Sequence, residues 1–429
     1  MRSRLTVALG RTARLAARMR GGGSGGTAFP GLVMERTDPG FLERTLSRLP
    51  RGVIVVSGTN GKTTTTKMVV QLLREQGLKV FTNRTGSNFV RGVLAALLTD
   101  VDAAGNLDAD IAVLELDEAH AVHFVAQIRP RACLLLNVMR DQLDRFGEID
   151  YTASLLHSIA KATSDVVVLN GDDPRLAAPA FLEDVTARVV SFGAGEDLRS
   201  LFLSDDDLRT GLASPRDRGE GPGPRVTLEA INGQRATVRV DGASHEVDFA
   251  IPGVHNLINA CAALGVVLEV LGEDADLPGL LATLGTVQAA FGRGEVLTLD
   301  GRPVQLSLVK NPAGFRMGLL SAAAQAQAGE VVVVAINDEY ADGRDMSWLW
   351  DVDFSALRAG GVAVVTGVRA WDMALRLRYD EVEVAKVEPD LRRAATDADR
   401  PMRIFTTYTA MLALRSILGE MTDVEEVMS

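Results

Sequence analysis

A short glycine-rich segment carries the clearest chemistry in this sequence. It follows an apolar, strand-like run, Val53–Ser57, precedes a helical pattern, and reads Gly58, Thr59, Asn60, Gly61, Lys62, Thr63, Thr64. Glycines let a backbone approach phosphate oxygens, N–H groups at a helix N-terminus bind those oxygens, and lysine adds a positive charge. A strict phosphate loop would have glycine where this chain has Val56. The segment therefore predicts a variant phosphate-binding loop, with Thr63 placed to hold Mg²⁺.

Three other segments carry polar residues suited to the same chemistry. Glu115 lies at the end of an apolar run, and ligands bind beyond the carboxyl ends of parallel strands. Asn256 and Asn259 follow a glycine, and asparagine amides both donate to and accept from a purine edge. Asn256 alone would be an equally good helix N-cap. Arg293 lies between two glycines; its guanidinium suits phosphate, and a surface salt bridge is the ordinary alternative.

These segments are spaced by alternating strand and helix patterns. Buried-strand runs with helix-length segments between them are Val53–Ser57, Ile111–Leu116, Ala132–Val138 and Val166–Leu169. Such alternation predicts a parallel sheet covered on both faces. Residues 204–224 are rich in acids, glycine and proline and predict an exposed loop, whereas 225–250 alternate like antiparallel strands. A helix is expected at 256–271, and a second α/β unit begins near residue 297, with strands at Val331–Ile336 and Val362–Thr366.

The composition is that of a globular protein with more than one domain. The chain has 429 residues, 47% of them hydrophobic and 24% charged, which suggests two or three domains. A net charge of −11 argues against non-specific nucleic-acid binding. The two cysteines, Cys133 and Cys261, lie in separate apolar runs, so a disulfide framework is not expected. A cytoplasmic location is therefore predicted, with no nucleic-acid partner.

The N-terminus has a distinct pattern. Residues 1–20 contain no acid and six arginines, Arg2, Arg4, Arg11, Arg14, Arg18 and Arg20. Leucines, valine and methionine are interleaved with these arginines, which is typical of an amphipathic helix. We expect the helix to pack on the body of the protein; contact with a membrane surface and a transit peptide are the alternatives.

The phosphate-binding segment and three others together resemble the Mur ligase family of ATP-dependent ligases. The string GTNGKTTTT matches the family's phosphate loop, and Glu115 matches its magnesium-binding glutamate, with Asp117 and Glu118 as weaker candidates. Residues 253–260 resemble the family's G-x-H-N-x-x-N-A segment, whose asparagines face adenine. Residues 291–295 resemble the hinge segment whose arginine, here Arg293, reaches ATP phosphates. The resemblance implies ATP and Mg²⁺ as cofactors, with Thr63 and Glu115 holding the metal.

Two further segments resemble the MurT branch of that family. Residues 137–148 read NVMRDQLDRFGE, where amino-acid-adding relatives carry a DHLD-type string, and residues 336–351 read INDEYADGRDMSWLWD, which looks like the signature of the MurT C-terminal domain. The phosphate loop also begins too early for a separate UDP-binding domain. Many MurT proteins carry a four-cysteine zinc ribbon, which two isolated cysteines cannot form, so no zinc is expected. His157 and Lys161 are candidates for a second metal, although helix-surface positions fit them better.

The resemblance implies a reaction and a partner. This chain would phosphorylate the α-carboxylate of D-glutamate in the lipid II stem peptide, and ammonia would displace the phosphate to leave D-isoglutamine. Ammonia would come from a class I glutaminase subunit, GatD, and lipid II would be met at the inner face of the membrane, where this chain would be cytoplasmic or peripheral. Lys62, Mg²⁺ and Arg293 would offset the charge of the transferred phosphoryl group.

The resemblance also implies that one aspartate of the C-terminal domain completes the partner's glutaminase triad by orienting its histidine. The loop after the predicted strand Val331–Ile336 offers Asp338, Asp342 and Asp345, with Asp351 more distant. At most one should serve, and the sequence does not choose among them. Trp348 and Trp350 are either interface anchors or core aromatics.

Two other functions stay open. A stand-alone amino-acid ligase, of the folylpolyglutamate synthase or cyanophycin type, would share the ATP site and need no glutaminase; the segments RDQLDRFGE and ADGRDMSWLWD argue against it. A nucleotide-binding scaffold without catalysis is disfavoured because the chain carries Lys62, Thr63, Glu115 and Arg293 together. The predicted architecture is α/β: an N-terminal arm at 1–44, a Mur ligase P-loop domain with a parallel sheet at 45–296, and a smaller Rossmann-like domain at 297–429 that contacts the partner.

Overall fold

The structure, a computed structural model, describes residues 2–19, 28–83, 88–140, 149–210, 223–288, 293–299, 301–324, 329–396 and 400–421. Its helices are α1 (Arg2–Met19), α2 (Ala28–Thr37), α3 (Phe41–Leu46), α4 (Lys62–Glu75), α5 (Val90–Asp100), α6 (Glu118–Val125), α7 (Ile149–Ala162), α8 (Pro179–Leu182), α9 (Asp205–Thr210), α10 (Val254–Leu271), α11 (Leu277–Thr286), α12 (Pro312–Ala324), α13 (Ala370–Tyr379), α14 (Leu391–Thr396) and α15 (Tyr408–Gly419). Its strands are β1 (Val53–Ser57), β2 (Val80–Thr82), β3 (Ile111–Glu115), β4 (Ala132–Leu135), β5 (Val166–Asn170), β6 (Arg188–Ala194), β7 (Val226–Asn232), β8 (Arg235–Val240), β9 (Ala243–Asp248), β10 (Arg293–Leu299), β11 (Arg302–Leu308), β12 (Val331–Ala335), β13 (Val362–Thr366), β14 (Val384–Val387) and β15 (Met402–Thr406).

The first sheet has nine strands in the order β2-β3-β1-β4-β5-β6-β7-β8-β9. All pairs from β2 to β7 are parallel, and β7, β8 and β9 are antiparallel. Strand β1 lies between β3 and β4, with Ile54 opposite both Val113 and Ala132. Its five residues are all buried, which is why this strand is a continuous apolar run rather than an alternating one. The carboxyl ends of β1 and β3 therefore meet at one edge, where the phosphate loop and Glu115 lie.

Helices cover both faces of this sheet. Side chains of α4 and α10, such as Met68 and Val266, form one core with the strands, and side chains of α5, α6 and α7, such as Leu97 and Phe124, form the other. By its length and composition helix α10 could span a membrane, yet 83% of its most apolar 18-residue stretch is buried inside the fold. It is therefore a core helix of the sheet.

The N-terminal helix α1 packs on α2 and α5. Thr6 and Val7 are buried in that contact, and the Thr6 hydroxyl donates to the buried carboxylate of Asp38 over 3.2 Å. Asp38 also pairs with Arg2 at 3.2 Å and with Arg44. One charged group thus attaches α1 to the loop between α2 and α3.

The second sheet has six strands in the order β10-β11-β15-β12-β13-β14, and every pair except β10–β11 is parallel. The predicted α/β fold class is confirmed. Strand β10 begins at Arg293, so the expected boundary between residues 296 and 297 falls inside it.

The expected exposed loop at 204–224 is wrong at its beginning. Asp205–Thr210 form α9, because Ser204 and Asp207 cap it reciprocally: each backbone N–H donates to the other residue's side chain, at 2.9 and 3.2 Å. Residues 211–222 of that segment lie outside the described residues.

Candidate active site

The phosphate loop is shaped by two glycines with positive φ. Gly58 has φ 130°, and Gly61, which precedes α4, has φ 87°. A Cβ atom at Gly58 would lie 3.0 Å from the backbone nitrogen of Asn137, and one at Gly61 would lie 2.7 Å from Oδ1 of Asn259. Any larger residue at either position would therefore meet both strain and a close neighbour. Gly61 and Thr64, at the N-terminus of α4, line the cleft between the two sheets.

The segment after β4 holds this loop in place. The Thr59 hydroxyl accepts from the backbone N–H of Met139 at 3.0 Å and donates to its carbonyl at 3.2 Å. Asn137 accepts from the backbone N–H of Asn60 at 2.9 Å and donates to the Asn60 carbonyl at 3.1 Å. The sequence alone indicates no role for Asn137 in the loop, because the contact joins residues 77 positions apart. Residues 141–148 of that signature segment lie outside the described residues.

Lys62 is a buried cation between two acids. Its Nζ atom donates to the Gly58 carbonyl at 2.6 Å and lies 3.1 Å from Asp117 and 3.4 Å from Glu118. Burial raises the pKa of Asp117, but the charges of Lys62 and Lys310 and a hydrogen bond from Lys62 outweigh burial and hold that pKa below its usual value. Asp117 and Glu118 thus position the lysine, and the weaker metal role that the sequence suggested for them stays a prediction.

Thr63 and Glu115 lie together, as predicted for a metal site. The Thr63 hydroxyl donates to Oε1 of Glu115 at 2.9 Å. The Asn83 amide accepts from the Glu115 backbone N–H at 2.9 Å and donates to its carbonyl at 2.8 Å, which fixes the end of β3. A hydroxyl and a carboxylate are hard oxygen donors that fit Mg²⁺, which takes one or two protein oxygens and completes its shell with phosphate and water. Among the described residues no group of three or more His, Cys, Asp or Glu side chains forms another candidate metal site.

The two asparagines of α10 have different positions. Asn259 lines the cleft and lies against Gly61. Asn256 is buried, donates to the Pro252 carbonyl at 2.6 Å, and lies 3.5 Å from the Asn259 amide. Gly253, not Asn256, is the N-cap of α10, so Asn256 supports Asn259 rather than capping the helix. Arg293 is the first residue of β10, and its contact with ATP phosphates stays a prediction.

The second sheet contributes two residues that the sequence reasoning missed. Asn311, just before α12, donates to Oδ1 of Asn60 at 3.0 Å and accepts from Nδ2 of Asn60 at 3.4 Å. Its Oδ1 also accepts from the Gly314 backbone at 2.8 Å, which caps α12. Lys310 lines the same cleft. The sequence does carry a signal for these two residues, because a polar pair follows the end of β11 and precedes Pro312, the first residue of a helix.

A cleft with a volume of about 200 Å³ separates the two sheets. Its walls come from the phosphate loop, the segment after β5, the start of α10, and β11 with α12. In the segment after β5, Asp173 accepts from the Val138 backbone at 2.6 Å, and burial raises the pKa of Asp173 to about 6. His157 and Lys161 do not line the cleft: His157 contacts the Glu183 carbonyl, and Lys161 pairs with Asp184 at 3.0 Å.

The three candidate aspartates for the partner's triad lie in the loop after β12, away from the residues that line the cleft. Asp338 is half-buried and pairs with Arg369 at 3.3 Å. Asp342 is buried and accepts from the Thr409 backbone at 2.7 Å, from the Thr409 hydroxyl, and from the Glu339 backbone. Asp345 accepts from the Ser347 backbone at 2.9 Å, and hydrogen bonds from Ser347 lower the pKa of Asp345.

The two signature segments meet in space. Arg140 lies 3.4 Å from Asp351 in the short helix Ser347–Asp351 and 3.6 Å from Asp205. Trp348 is buried against Phe315, so it belongs to the core of the second sheet, whereas Trp350 is half exposed. The Arg140–Asp351 pair and the Asn60–Asn311 pair both join the first sheet's domain to the second.

A parallel sheet, a phosphate loop with a paired threonine and glutamate, and a second α/β unit closing over that loop define a nucleotide-dependent ligase of the Mur type. Residues 56–267 match the model of the Mur ligase middle domain, and residues 308–411 match the model of the MurT ligase C-terminal domain. A Streptococcus pneumoniae protein named "Lipid II isoglutaminyl synthase (glutamine-hydrolyzing) subunit MurT" is 30% identical, covering 94% of this chain and 95% of its own. The Staphylococcus aureus protein of the same name is 29% identical over 92% of each. The chain therefore belongs to the MurT family of Mur ligases and is an ATP-dependent ligase.

Solved structures agree with the fold. The MurF ligase of Thermotoga maritima in complex with ADP superposes with a TM-score of 0.66 at 18% identity, covering 91% of this chain and 85% of its own. Mycobacterium tuberculosis folylpolyglutamate synthase superposes with a TM-score of 0.61 at 17% identity, covering 89% of this chain and 94% of its own. At such identities the likeness shows the fold alone.

Proposed function

We propose that this chain is the synthetase subunit that amidates the D-glutamate α-carboxylate of lipid II, using ammonia from a GatD-type glutaminase subunit. The match of residues 308–411 to the MurT ligase C-terminal model carries this proposal, because that model is described for MurT, whereas the model matched by residues 56–267 is described for Mur ligases in general. The curated relatives named for lipid II isoglutaminyl synthesis match along nearly the whole chain, which supports the same substrate.

The proposed reaction has two steps at the cleft. The substrate carboxylate attacks the γ-phosphorus of ATP to form an acyl phosphate and ADP, and ammonia then attacks the acyl carbon and releases inorganic phosphate. Gly58, Asp117 and Glu118 hold the Lys62 ammonium group in place. It is therefore already in position when the negative charge on the transferred phosphoryl group is greatest. Mg²⁺ held by Thr63 and Glu115 would supply further neutralisation of the phosphates. Lys310 adds a second cation from the other side of the cleft.

Neither cysteine of this chain fits the glutaminase step. Cys133 and Cys261 are both fully buried, and burial raises the pKa of each thiol to about 12. A glutaminase nucleophile must be an accessible thiolate near neutral pH. The ammonia must therefore come from solution or from another subunit, and the relatives are themselves named as subunits.

Asp338 is the favoured aspartate for the partner's triad. A triad aspartate must accept from an imidazole N–H of the partner, so it needs an accessible oxygen. Oδ2 of Asp338 accepts from Arg369, while Oδ1 accepts no hydrogen bond from any described residue. Both oxygens of Asp342 are engaged by Thr409, and Asp345 orders the helix that follows it.

Helix α1 is proposed to bring the enzyme to the inner face of the membrane, where lipid II resides. Its inner side packs on the fold through Val7 and Ala13, whereas Arg4, Leu5 and Leu15 are exposed. Exposed leucines beside arginines suit an anionic membrane surface. Cosedimentation with vesicles containing anionic phospholipid tests this role. A smaller fraction of the double variant Leu5→Ser, Leu15→Ser should sediment with the vesicles than of the wild type, and an equal fraction would contradict the membrane role.

The decisive experiment reconstitutes this chain with the glutaminase subunit of the same organism. Lipid II is incubated with ATP, Mg²⁺ and glutamine, and its mass is measured; replacement of a hydroxyl by an amine lowers the mass by ~1 Da. We expect the change only with both subunits, and Lys62→Ala should abolish it. If this chain hydrolyses ATP yet leaves lipid II unchanged with the partner present, the stand-alone ligase function must be tested with amino-acid acceptors.

A further inference from the structure

A phenylalanine and a histidine lie side by side near the phosphate loop without lining the cleft. Phe89 is the N-cap residue of α5, and His120 lies in the first turn of α6. Their ring centroids are 5.8 Å apart, and the two rings are tilted by 54°. His120 is exposed, Phe89 is partly buried, and neither lines the cleft. We call these two residues the Phe89–His120 pair.

The pair is connected to Lys62 through Asp117. The Asp117 carboxylate lies 3.1 Å from the Lys62 ammonium group, and the Asp117 backbone N–H donates to the carbonyl of Asn88, the residue before Phe89, at 3.2 Å. Asp117 and His120 are three positions apart at the start of α6, so their side chains are neighbours on that helix. Burial raises the pKa of Asp117, whereas nearby positive charges, that of His120 among them, outweigh burial and lower it. The pair therefore lies one side chain away from the ammonium group that would meet the phosphates.

The order of the strands places the pair and the cleft on opposite sides of the phosphate loop. The loop follows β1, which lies between β3 and β4. Asn137 and Asn170, which line the cleft, come from the ends of β4 and β5 on one side. Phe89 and His120 follow β2 and β3 on the other side. With the nucleoside of ATP in the cleft, a γ-phosphate beside Glu115 at the end of β3 would therefore have the pair on its far side.

The proposed phosphoryl transfer requires its acceptor on that far side. The attacking carboxylate oxygen and the leaving oxygen of ADP lie roughly in line through the γ-phosphorus, so the acceptor approaches from the side opposite ADP. One carboxylate oxygen forms the new P–O bond, the bond to ADP breaks, ADP keeps that electron pair, and no proton is transferred. The second carboxylate oxygen needs a hydrogen-bond donor, which an imidazole supplies whether it is neutral or protonated. A carboxylate beside a short aliphatic chain, as in glutamate, therefore fits a wall that offers one N–H donor and one apolar ring.

We propose that the Phe89–His120 pair forms the acceptor wall of the active site. His120 donates an N–H to the carboxylate oxygen of the substrate that does not attack, and Phe89 packs against the aliphatic chain beside that carboxylate. This inference rests on the proposed function and names residues that bind its acceptor. His120 keeps its proton throughout, so it binds the carboxylate and does not act as an acid or a base.

Steady-state kinetics of the complete complex test the acceptor wall, with lipid II varied at saturating ATP and glutamine, and ATP varied at saturating lipid II. His120→Ala should raise KM for lipid II by about 10- to 100-fold, the effect of losing a hydrogen bond to a charged group. KM for ATP should stay within about twofold of the wild type, because the nucleotide does not touch the pair. His120→Asn keeps an N–H donor and should recover most of the loss. Phe89→Ala should raise KM for lipid II by roughly 10-fold, since an apolar contact is lost.

A second histidine–phenylalanine pair provides the matched control. His157 and Phe181 have ring centroids 5.4 Å apart and rings tilted by 44°, and neither lines the cleft. His157→Ala should therefore leave KM for both substrates within about twofold of the wild type. The thermal midpoint and ADP binding of each variant report whether its fold is intact.

Different results overturn different statements. A wild-type KM for lipid II in both His120→Ala and Phe89→Ala would overturn the acceptor wall while leaving the amidation intact. Equal rises in KM for lipid II and for ATP would also overturn it, because the pair would then support Lys62 instead of binding the acceptor. A loss that His120→Asn does not recover would contradict the N–H donation. Absence of amidation by the wild-type complex would overturn the proposed function, and the acceptor wall with it.

Discussion

Replacing Asn311 with alanine should weaken the use of ATP, because it removes the amide pair that joins the second domain to the phosphate loop. Asn311 donates to Asn60 at 3.0 Å and accepts from it at 3.4 Å. A neutral hydrogen bond contributes about 0.5–1.5 kcal/mol net, and the longer contact belongs at the lower end. We therefore expect a coupling of about 1–2 kcal/mol, which corresponds to a 5- to 30-fold lower kcat/KM for ATP.

Asn60→Ala is the matched variant, since it removes the same pair from the opposite side. The Asn60 backbone contacts with Asn137 do not depend on its side chain and should persist. Asn311→Ala also removes the cap on Gly314 and should lower the free energy of unfolding by about 1 kcal/mol more than Asn60→Ala does. Thermal denaturation separates this structural effect from the catalytic one.

The double-mutant cycle decides whether the pair acts as a unit. If the two amides act through each other, the double variant should be no slower than the slower single variant. The assay is ATP-dependent amidation of lipid II by the complete complex, with ATP varied at saturating glutamine. Additive losses in the double variant would refute the idea that the Asn60–Asn311 pair holds the domains together during catalysis.

Three further predictions concern the metal site, a buried acid and the second interdomain contact. Glu115→Gln should lower kcat and raise the Mg²⁺ concentration that gives half-maximal rate, because a carboxylate ligand is lost; an unchanged Mg²⁺ requirement would count against the site. Burial raises the pKa of Asp173 from 3.8 to about 6, so the folded chain binds this proton more tightly than the unfolded chain. The stability contributed by that group should fall as pH rises from about 4 to 6. Asp173→Asn should therefore make the thermal midpoint depend less on pH over that range. The same pH dependence in the variant and the wild type would contradict the raised pKa of Asp173. Arg140→Ala and Asp351→Ala should each raise KM for ATP by a few-fold, since half-exposed ion pairs contribute up to about 1 kcal/mol. The double variant should show no larger KM than Arg140→Ala, and additive increases would mean that the pair is incidental.

The position of Lys62 illustrates how the fold prepares the site. Asp117 and Glu118 follow β3 directly and face a lysine that follows β1, since these two strands are parallel neighbours. Two carboxylates are thereby held within 3.4 Å of the Lys62 ammonium group before any substrate arrives. Removing Asp117 or Glu118 would leave Lys62 buried with fewer partners, which costs more than loss of a surface pair.

The local pattern of the sequence was enough to predict the fold class and most of the nucleotide site. Strand β1 and strand β13 have the expected bounds, because a buried parallel strand leaves a continuous apolar run. Strands β2, β6, β14 and β15 were not expected, since they are short, partly exposed or carry charged residues such as Arg403. The phosphate loop, Thr63 and Glu115 could be assigned because their chemistry depends on residue type and on position at a strand end.

Other features depend on contacts that are distant in sequence. Asn60 and Asn311 are 251 positions apart, and Arg140 and Asp351 are 211 apart, so no local pattern links them. Asp338, Asp342 and Asp345 are equivalent in the sequence and differ only in what the fold places beside them: Arg369, Thr409 and Ser347. Trp348 and Trp350 are likewise two positions apart, yet one is buried and the other exposed. The sequence by itself thus determined the family, the fold and the phosphate chemistry, which are written in short motifs. Only the tertiary structure decided which acids, amides and aromatic residues face the cleft, the core or the surface, because that choice arises when two sheets pack against each other.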